Sequence, residues 1–441
     1  MNSDSIFALA SGPGRAGVAV FRLSGSLAGT ALRHLSGQDL PLPRRAVCRV
    51  LRQGAEIIDE ALVLWFPAPA SFTGEDVVEL HVHGGRAIAS AVTGALMDLG
   101  LRPAEAGEFS RRAFINGKMD LTKAEAIADL VDAETAAQRR QALRQLDVGL
   151  SRLVEQWREA LVRALALMEA VIDFSDEGIS DDLVDDVQAQ VDALAAEMRS
   201  HVRQGIKAER LRDGIHLAIV GAPNAGKSSL LNRLAGREAA IVSAQAGTTR
   251  DIIEVHLDLH GWPVVVADTA GLREAAEEIE AEGIRRALAK ADAADIILAM
   301  FDASQWPHLD QATLDVLNEQ TIVILNKCDD CTVTLPHALQ GWPVKQISAR
   351  TGAGVEELLT FLEGKIGDYY HDGVQPSLTR ERHRAVVEEC LRRLQAFSPA
   401  MGIELAAEDL RAVGRALGRI TGRVDVEELL DVVFREFCIG K

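Results

Sequence analysis

The chain has 441 residues, of which 48% are hydrophobic and 4% aromatic, and its formal net charge at pH 7 is −18. This length predicts two to four domains, and the hydrophobic content excludes an intrinsically disordered chain. The acidic balance excludes a protein that coats nucleic acids with its whole surface, because such proteins are basic.

The cysteines and the hydropathy of the chain indicate in which cellular compartment the protein resides. The five cysteines are scattered and odd in number, which predicts no disulfide framework and fits a reducing compartment. No stretch approaches the roughly 20 apolar residues of a transmembrane helix. Residues 1–20 lack the basic start and apolar run of a signal peptide. We therefore expect a cytoplasmic location and no membrane partner.

The N-terminal part of the chain has the pattern of a mixed α/β domain. Short apolar or alternating runs bounded by Gly and Pro predict strands at 17–25, 60–67 and 76–85. The run RAIASAVTGALMDLG at 86–100 predicts a helix that ends at its final glycine.

Helical periodicity dominates from about residue 119 to 212, with Thr122 as the predicted N-cap of the first helix. Strand-like and helix-like segments then alternate from Ile215 to about residue 366, which is typical of a doubly wound parallel sheet. Further helical segments run to the end. The predicted fold class is multidomain α/β plus all-α, in which an inserted α/β domain interrupts a discontinuous helical domain. The predicted domains are residues 1–118, 119–212, 213–375 and 376–441.

A phosphate-binding loop lies at the start of the inserted domain. The segment IHLAIVGAPNAGKSSLLNRLAG runs from a predicted strand through a loop into a helix and contains G-x-x-x-x-G-K-[ST]. Backbone N–H groups and the helix N-terminus hold phosphate oxygens in such a loop. Lys227 is expected to reach the β- and γ-phosphates, and the Ser228 hydroxyl to bind Mg²⁺. The inserted domain is therefore predicted to be a Ras-like P-loop G domain.

The remaining GTPase motifs follow in the usual order. AGTTRD at 246–251 can supply a switch threonine to Mg²⁺, and Asp268 of VVVADTAG can hold the metal through water, while the Gly271 N–H meets the γ-phosphate. The Asp329 carboxylate in TIVILNKCD can accept two hydrogen bonds from the guanine edge, a donor pair that adenine lacks. ISAR at 347–350 would complete the base pocket. The motifs predict binding of GTP over ATP.

The residue after the DTAG turn is unusual. Many GTPases carry a glutamine there that orients the attacking water, but this chain has Leu272. Asn224 and the backbone-rich segment IVSAQAGTT can hold a monovalent cation such as K⁺, which would neutralise developing charge. Three downstream acids are candidates for orienting the water, and spacing alone does not choose among Glu277, Glu278 and Glu280.

Long motifs outside the GTPase set resemble the MnmE (TrmE) family of tRNA-modification GTPases. They are PGRAGVAVFRLSG (13–25), SFTGEDVVELHVHGG (71–85), GEFSRRAFINGKMDLTKAEAIADL (107–130) and the terminal FCIGK. The resemblance covers essentially the whole chain. It implies a K⁺-stimulated GTPase that forms homodimers and whose G domains dimerise face to face during turnover.

The resemblance also implies roles for individual residues of the G domain. Glu280 matches the glutamate that orients water, which makes it catalytic together with Asn224 and Lys227. K⁺ ligation is implied for Asn224, Ser243, Gln245 and Thr248, and Mg²⁺ ligation for Ser228 and Thr249. The complete predicted nucleotide-binding set is Asn224, Ala225, Gly226, Lys227, Ser228, Ser229, Ser243, Ala244, Gln245, Ala246, Gly247, Thr248, Thr249, Asp268, Thr269, Ala270, Gly271, Asn326, Lys327, Asp329, Ser348, Ala349 and Arg350.

The N-terminal domain, by the same resemblance, is a tetrahydrofolate-binding-like and dimerisation domain that takes a 5-formyl- or methylene-tetrahydrofolate. Its folate contacts match Arg22, Glu79 and Lys118, and the terminal lysine matches Lys441. A cation suits the glutamate tail of folate, and a carboxylate suits donors on the pterin ring. Cys438 is implied to lie beside this one-carbon site.

The function implied is GTP hydrolysis coupled to tRNA modification. The protein would act with the flavoprotein MnmG (GidA) to form 5-carboxymethylaminomethyl- or aminomethyluridine at the tRNA wobble position with a folate one-carbon unit. The alternative is a ribosome-assembly switch like the Era and Der GTPases, but those carry RNA-binding additions that are often basic. A further motif repeats arginine at four-residue steps, which predicts either contacts with acidic partners or RNA phosphate, or a solvated helix face, at Arg411, Arg415, Arg419 and Arg423.

Overall fold

A computed structural model describes residues 4–12, 14–147, 149–173, 181–236, 240–241, 255–266, 294–331, 334–370, 378–399, 402–424, 430, 433–434, 437 and 440. The chain forms two compact units. One comprises residues 1–128, 151–187 and 397–441, and the other comprises residues 129–150 and 188–396. No helix within the described ranges is long and apolar enough to cross a membrane.

The first unit contains a six-stranded sheet in the order β3-β4-β5-β2-β1-β6. Neighbouring strands are antiparallel except β1 and β6. Helices α1 (Ala28–Ser36) and α2 (Arg86–Asp98) pack on one face, so the strands alternate between buried and more exposed side chains. The strands are β1 (Ile6–Leu9), β2 (Ala16–Ser24), β3 (Val47–Gln53), β4 (Glu56–Phe66), β5 (Val77–Gly84) and β6 (Arg102–Pro103).

Helices α3 (Glu108–Ile115), α4 (Leu121–Asp132) and α6 (Leu150–Asp173) lie wholly or mainly in the first unit, whereas α5 (Ala136–Asp147) belongs to the second. The start of α4 differs from the prediction. Helix α4 begins at Leu121, and the Asp120 carboxylate accepts the Lys123 N–H at 2.9 Å. The Thr122 hydroxyl also donates to Asp120. The prediction of Thr122 as N-cap is therefore wrong, because the preceding aspartate satisfies the free amide.

The arginine repeat lies on and just after α12 (Ile403–Thr421) and meets acidic side chains. Arg411 pairs with Glu169 and Glu408, and Arg415 pairs with Glu408 at 2.6 Å. Arg423 pairs with Glu155 of α6 at 2.7 Å. Arg411, Arg415 and Arg423 thus have acidic neighbours within this unit.

The second unit contains an eight-stranded sheet in the order β13-β14-β12-β11-β7-β10-β9-β8. Its central strands β10, β7, β11, β12 and β14 are parallel. Side chains of β11 alternate between two apolar clusters, which places buried cores on both faces of the sheet. The strands are β7 (Ile215–Gly221), β8 (Ala240–Ile241), β9 (Val255–Leu259), β10 (Trp262–Val266), β11 (Ile296–Asp302), β12 (Thr321–Asn326), β13 (Ala338–Leu339) and β14 (Trp342–Gln346).

The second unit also contains the helices of the inserted domain and the helices that flank it in sequence. Helices α8 (Lys227–Ala235), α9 (Gln311–Leu314) and α10 (Val355–Tyr370) belong to the inserted domain. Helix α7 (Asp181–Asp213) precedes it and α11 (Glu381–Ala396) follows it. The multidomain α/β plus all-α class is confirmed. The four predicted domain boundaries stay a prediction, since the chain divides into two compact units rather than four.

Candidate functional site

The phosphate loop lies between the end of β7 and the start of α8, as the motif predicts. Asn224 has φ 63° and Gly226 has φ 101°, so the loop curls through left-handed conformations. A Cβ at Gly226 would lie 2.1 Å from Asn326 Nδ2, so only glycine fits there. The Lys227 ammonium donates to the carbonyl oxygens of Gly221 and Ala222 at 2.8 and 2.9 Å. These bonds hold a positive charge against the loop.

The Asn326 side chain connects this loop to the predicted base pocket. Its Nδ2 donates to the Ala225 carbonyl at 2.7 Å, and its Oδ1 accepts the Ala349 N–H at 2.9 Å. The residue ends β12 and is 2% exposed. Buried polar groups require partners, and here each partner belongs to a different predicted nucleotide-binding segment. The structure therefore brings the two segments together through one amide.

The predicted guanine-binding carboxylate lies beside the ISAR segment. A hydrogen bond from the Ser348 hydroxyl holds the pKa of Asp329 below its ordinary value, against the opposing effect of burial, and Arg350 adds to the shift. Arg350 forms ion pairs with both Asp329 and Asp330. The carboxylate is thus kept ionised, which is the acceptor form that a guanine edge needs.

Lys327 is fixed by its backbone and by an acid of the neighbouring strand. It has φ 65°, and its ammonium lies 2.7 Å from Oδ2 of Asp302 at the end of β11. Burial opposes ionisation of Asp302, but hydrogen bonds from Lys327 and Ser304 outweigh it and hold the pKa of the carboxyl below its ordinary value. The pair orients the Lys327 stem beside the base pocket.

Part of the predicted site lies outside the described residues. This holds for the whole predicted potassium loop, the DTAG turn and the catalytic glutamate, which are Ser243, Ala244, Gln245, Ala246, Gly247, Thr248, Thr249, Asp268, Thr269, Ala270, Gly271, Leu272 and Glu280. The described part contains Ser228 and Ser229 in the first turn of α8, directly after the loop. A serine hydroxyl at this point suits Mg²⁺, which prefers oxygen ligands.

The predicted folate contacts lie on the sheet of the first unit. Arg22 on β2 and Glu79 on β5 face each other in register, with Arg22 Nη2 2.9 Å from Glu79 Oε1. The guanidinium also lies over the rings of Phe72 and Phe109, at 5.5 and 5.9 Å from their centroids. Phe109 is fully buried, whereas Phe72 is partly exposed. A cation, a carboxylate and one accessible aromatic ring therefore meet at one place, a combination that suits a flat heteroaromatic ligand.

Lys118 and the C-terminal tail reach the same region of this unit. The Lys118 ammonium donates to the Pro69 carbonyl at 2.9 Å, and its stem lies against Gly74 of the loop that contains Phe72. The Gly440 carbonyl accepts a hydrogen bond from Arg22 at 3.5 Å. Cys438 and Lys441 lie outside the described residues, but Gly440, between them, is at the Arg22 guanidinium.

Comparisons with known proteins agree on one family. A family model described as the MnmE helical domain matches residues 121–438, and one described as the GTP-binding protein TrmE N-terminus matches residues 5–118. The tRNA modification GTPase MnmE of Paramagnetospirillum magneticum is 63% identical over 440 residues, which covers 100% of both chains. The chain belongs to the MnmE family of tRNA modification GTPases.

Relatives with lower sequence identity also match this chain over nearly its whole length. The MnmE protein of Rhodospirillum rubrum is 53% identical and is covered in full. The mitochondrial 5-taurinomethyluridine-[tRNA] synthase subunit GTPB3 of Danio rerio is 46% identical over 99% of this chain and 93% of its own. The solved G domain of the T. maritima FeoB iron transporter is 28% identical and covers 35% of this chain and 98% of its own, with a TM-score of 0.26, a likeness too low to bear on the fold. Membership of the MnmE family makes the chain a GTP hydrolase.

The structure adds residues that the sequence analysis missed. Arg233 of α8 donates through Nε to the Ala349 carbonyl at 2.7 Å and through Nη2 to the Arg350 carbonyl. It therefore holds the ISAR segment, called here the base loop, in place. Asp302 positions Lys327. The sequence shows an arginine in the helix after the phosphate loop and an aspartate at the end of a strand. It does not show their partners, because these are distant along the chain and hydrophobic periodicity does not report such contacts.

Proposed function

We propose that this protein is a K⁺-stimulated GTPase that acts with the flavoprotein MnmG on tRNA. The product is 5-carboxymethylaminomethyl- or aminomethyluridine at the wobble position, and the one-carbon unit comes from a tetrahydrofolate derivative. The observation that carries the proposal is the presence of two separate clusters in one chain. One joins the phosphate and base loops through Asn326, and the other joins Arg22, Glu79 and two phenylalanines.

The nucleotide cluster supports hydrolysis by positioning and charge. Lys227 neutralises the β- and γ-phosphates, Ser228 binds Mg²⁺ together with Thr249, and Asp329 selects guanine. Mg²⁺ and K⁺, when bound, supply positive charge beside the phosphates. Asn224 and the segment with Ser243, Gln245 and Thr248 hold the K⁺. Glu280 orients the attacking water in place of the glutamine that Leu272 replaces.

The cluster in the first unit supports folate binding. Glu79 accepts hydrogen bonds from Arg22 at 2.9 and 3.1 Å and has a second oxygen 3.4 Å from His81 Nε2, so a donor-rich pterin edge would meet acceptor oxygens there. The partly exposed Phe72 provides flat apolar surface, and Lys118 and Lys441 provide charge for the glutamate tail. The protein works as a cytoplasmic homodimer whose G domains meet during turnover.

Deletion of the gene tests the tRNA assignment. We expect wobble uridines to lose the C5 modification, measured by mass spectrometry of digested tRNA, with restoration by the wild-type gene. Loss of mature ribosomal subunits with intact wobble modification would instead assign the protein to the ribosome-assembly class.

The Glu280→Ala variant tests the catalytic assignment. Since the glutamate orients water and does not contact the base, GDP and GTP affinities should remain, while turnover falls by roughly 100-fold or more, the scale of a lost general base or orienting group. Single-turnover hydrolysis and nucleotide titration measure the two quantities separately. Glu277→Ala is the matched control and should retain turnover. Equal losses in both variants would contradict the assignment.

A further inference from the structure

The outward side of helix α5 carries three arginines and one exposed acid, Asp147, and so is net positive in a chain whose net charge is −18. Ala137 and Ala142 are buried, whereas Arg139, Arg140 and Arg144 are exposed. Arg139 and Arg140 form no ion pair with any side chain in the described part of the chain. Three guanidinium groups within two helical turns thus form a local positive surface, called here the α5 arginine face.

The opposite side of α5 is fixed to the rest of the second unit. The Ala137 N–H donates to the Gly261 carbonyl at 2.9 Å, in the turn between β9 and β10. Two glutamine side chains donate to carbonyl oxygens near the end of α7, Gln138 to Arg212 and Gln141 to Ala208, each at 2.9 Å. The helix is therefore held in place independently of any partner, and binding at its outer side orders only side chains.

The chemistry of this face suits a phosphodiester chain. Guanidinium groups bind phosphate oxygens bidentately and stay charged at all relevant pH values. Arg140 and Arg144 are one helical turn apart, about 6 Å along the axis, which is comparable to the spacing of successive phosphates on one RNA strand. Leu143 between them is 47% exposed. One exposed apolar residue among three cations is too little apolar surface for membrane insertion.

We propose that the α5 arginine face binds the phosphodiester backbone of the RNA substrate. This inference rests on the proposed tRNA function and names the surface by which tRNA is held. Since the rest of the molecule is acidic, RNA approaches this face against general repulsion, so phosphate contacts concentrate there.

The test is the affinity of the full-length protein for a fluorescently labelled tRNA that carries a wobble uridine, measured by anisotropy at several salt concentrations. The triple variant R139A/R140A/R144A should weaken binding by about 10-fold or more. It should also reduce the slope of log affinity against log salt by about 2 to 3, because each lost phosphate contact removes roughly one unit. Alanine favours the helix, and the melting temperature and RNA-free GTP hydrolysis should stay unchanged.

The matched control removes the same charge elsewhere. Arg33, Arg45 and Arg52 are exposed on the first unit, and the variant R33A/R45A/R52A should bind tRNA like the wild type. If the α5 variant misfolds, the single variant Arg140→Glu gives the same readout and should still weaken binding.

Three results for the variants would overturn the inference. They are an α5 variant that binds tRNA as tightly as the wild type, a control variant weakened equally, and an α5 variant that keeps tRNA affinity but loses a protein partner. Absence of tRNA binding by the wild type would also overturn it. Analysis of wobble uridines in the deletion strain tests the proposed function separately. The proposed function and the proposed RNA-binding surface can therefore fail independently.

Discussion

The Asn326 side chain is 2% exposed and uses both of its polar ends on neighbouring loops. The sequence predicted this residue as part of the nucleotide site from the NKCD motif. It did not predict that the amide joins the phosphate loop to the base loop, because Ala225 and Ala349 are 101 and 23 residues away along the chain. A motif specifies residue types, whereas the hydrogen bonds depend on how the strands bring distant loops together.

Replacing Asn326 by alanine should weaken nucleotide binding. The change leaves the Ala225 carbonyl and the Ala349 N–H without their buried partner, at a cost of about 1–3 kcal/mol each. We expect GDP affinity to fall by roughly 10- to 100-fold, since about 1.4 kcal/mol corresponds to a factor of ten. Isothermal titration with GDP measures this. Asn326→Asp keeps the acceptor for the Ala349 N–H but turns a carboxylate oxygen toward the Ala225 carbonyl, so it should bind GDP no better than Asn326→Ala. Unchanged affinity in both variants would contradict the role.

A buried ionic cluster in the first unit gives a pH prediction. Burial alone would raise the pKa of Glu108, but hydrogen bonds from Arg102, the Glu105 backbone and Arg112 outweigh it and hold the pKa below the ordinary value of 4.5. A group whose pKa is lower in the folded than in the unfolded protein stabilises the fold at any pH above its unfolded-state pKa. For Glu108 this stabilisation is lost as the pH falls below 4.5 and through the lower pKa of the folded state.

The Glu108→Gln variant checks this sign. At pH 7 it should unfold more easily than the wild type by about 1–3 kcal/mol, because buried Arg112 loses one charged partner. The difference should shrink as pH is lowered from 5 to about 3, since the wild-type glutamate becomes protonated. Calorimetry at several pH values measures the unfolding transitions. Glu105→Gln is the control, and a difference that grows in acid would contradict the prediction.

At the scale of elements, α8 serves the nucleotide site at both of its ends. Its first residues continue the phosphate loop, and Arg233 in its last turn holds the carbonyl oxygens of Ala349 and Arg350. Gly352, with φ 94°, lies so close to Arg233 that a Cβ would be 2.8 Å from Nη1. The base loop is therefore shaped by a helix that the motif assigns only to phosphate.

The Arg233→Ala variant should affect base recognition more than phosphate chemistry. Loss of both hydrogen bonds frees the ISAR segment, so GDP affinity should fall several-fold, on the scale of about 1 kcal/mol for each lost bond. The hydrolysis rate at saturating GTP should be nearly unchanged. Competition binding with GDP and IDP reports guanine selectivity. Arg233→Lys can keep one contact and should lose less, whereas equal GDP binding in all three proteins would refute the role.

Elements were predictable where periodicity was strong. The strands predicted at 17–25, 60–67 and 76–85 and the helix at 86–100 match β2, β4, β5 and α2 closely. Helix α1 and strands β1, β3 and β6 were not predicted. For β1 and β6 the reason is that four and two residues are too few to show a period. The cap of α4 was misplaced by two residues, since Asp120 and Thr122 are both good cap residues.

At the scale of the whole molecule, resemblance to a family predicted contacts between distant parts of the chain, which local sequence patterns cannot predict. The first unit joins its N-terminal sheet to the C-terminal tail through Arg22 and Gly440, which are 418 residues apart in sequence. No spacing rule connects such positions. The resemblance to the MnmE family implies one site for Arg22 and Lys441, and this shared site stays a prediction because Lys441 lies outside the described residues.

Turnover should depend on the monovalent cation. The K⁺ that we propose at Asn224 would neutralise charge that develops between the phosphates, so GTP hydrolysis should be faster in KCl than in NaCl at equal ionic strength. We expect a difference of about 10-fold, on the scale of one lost electrostatic contact. Steady-state phosphate release measures it. Asn224→Ala should abolish the difference while leaving GDP affinity nearly intact, and equal wild-type rates in both salts would eliminate the cation proposal.

The Asn326 bridge has a consequence for fragments of the nucleotide. Because one amide restrains both loops, ordering of either loop lowers the entropic cost of ordering the other. Guanosine and inorganic pyrophosphate, added as separate molecules, should therefore bind with positive cooperativity, and each should tighten the other by the same factor. A small molecule that fills only the base pocket would then pre-organise the phosphate loop without contacting it.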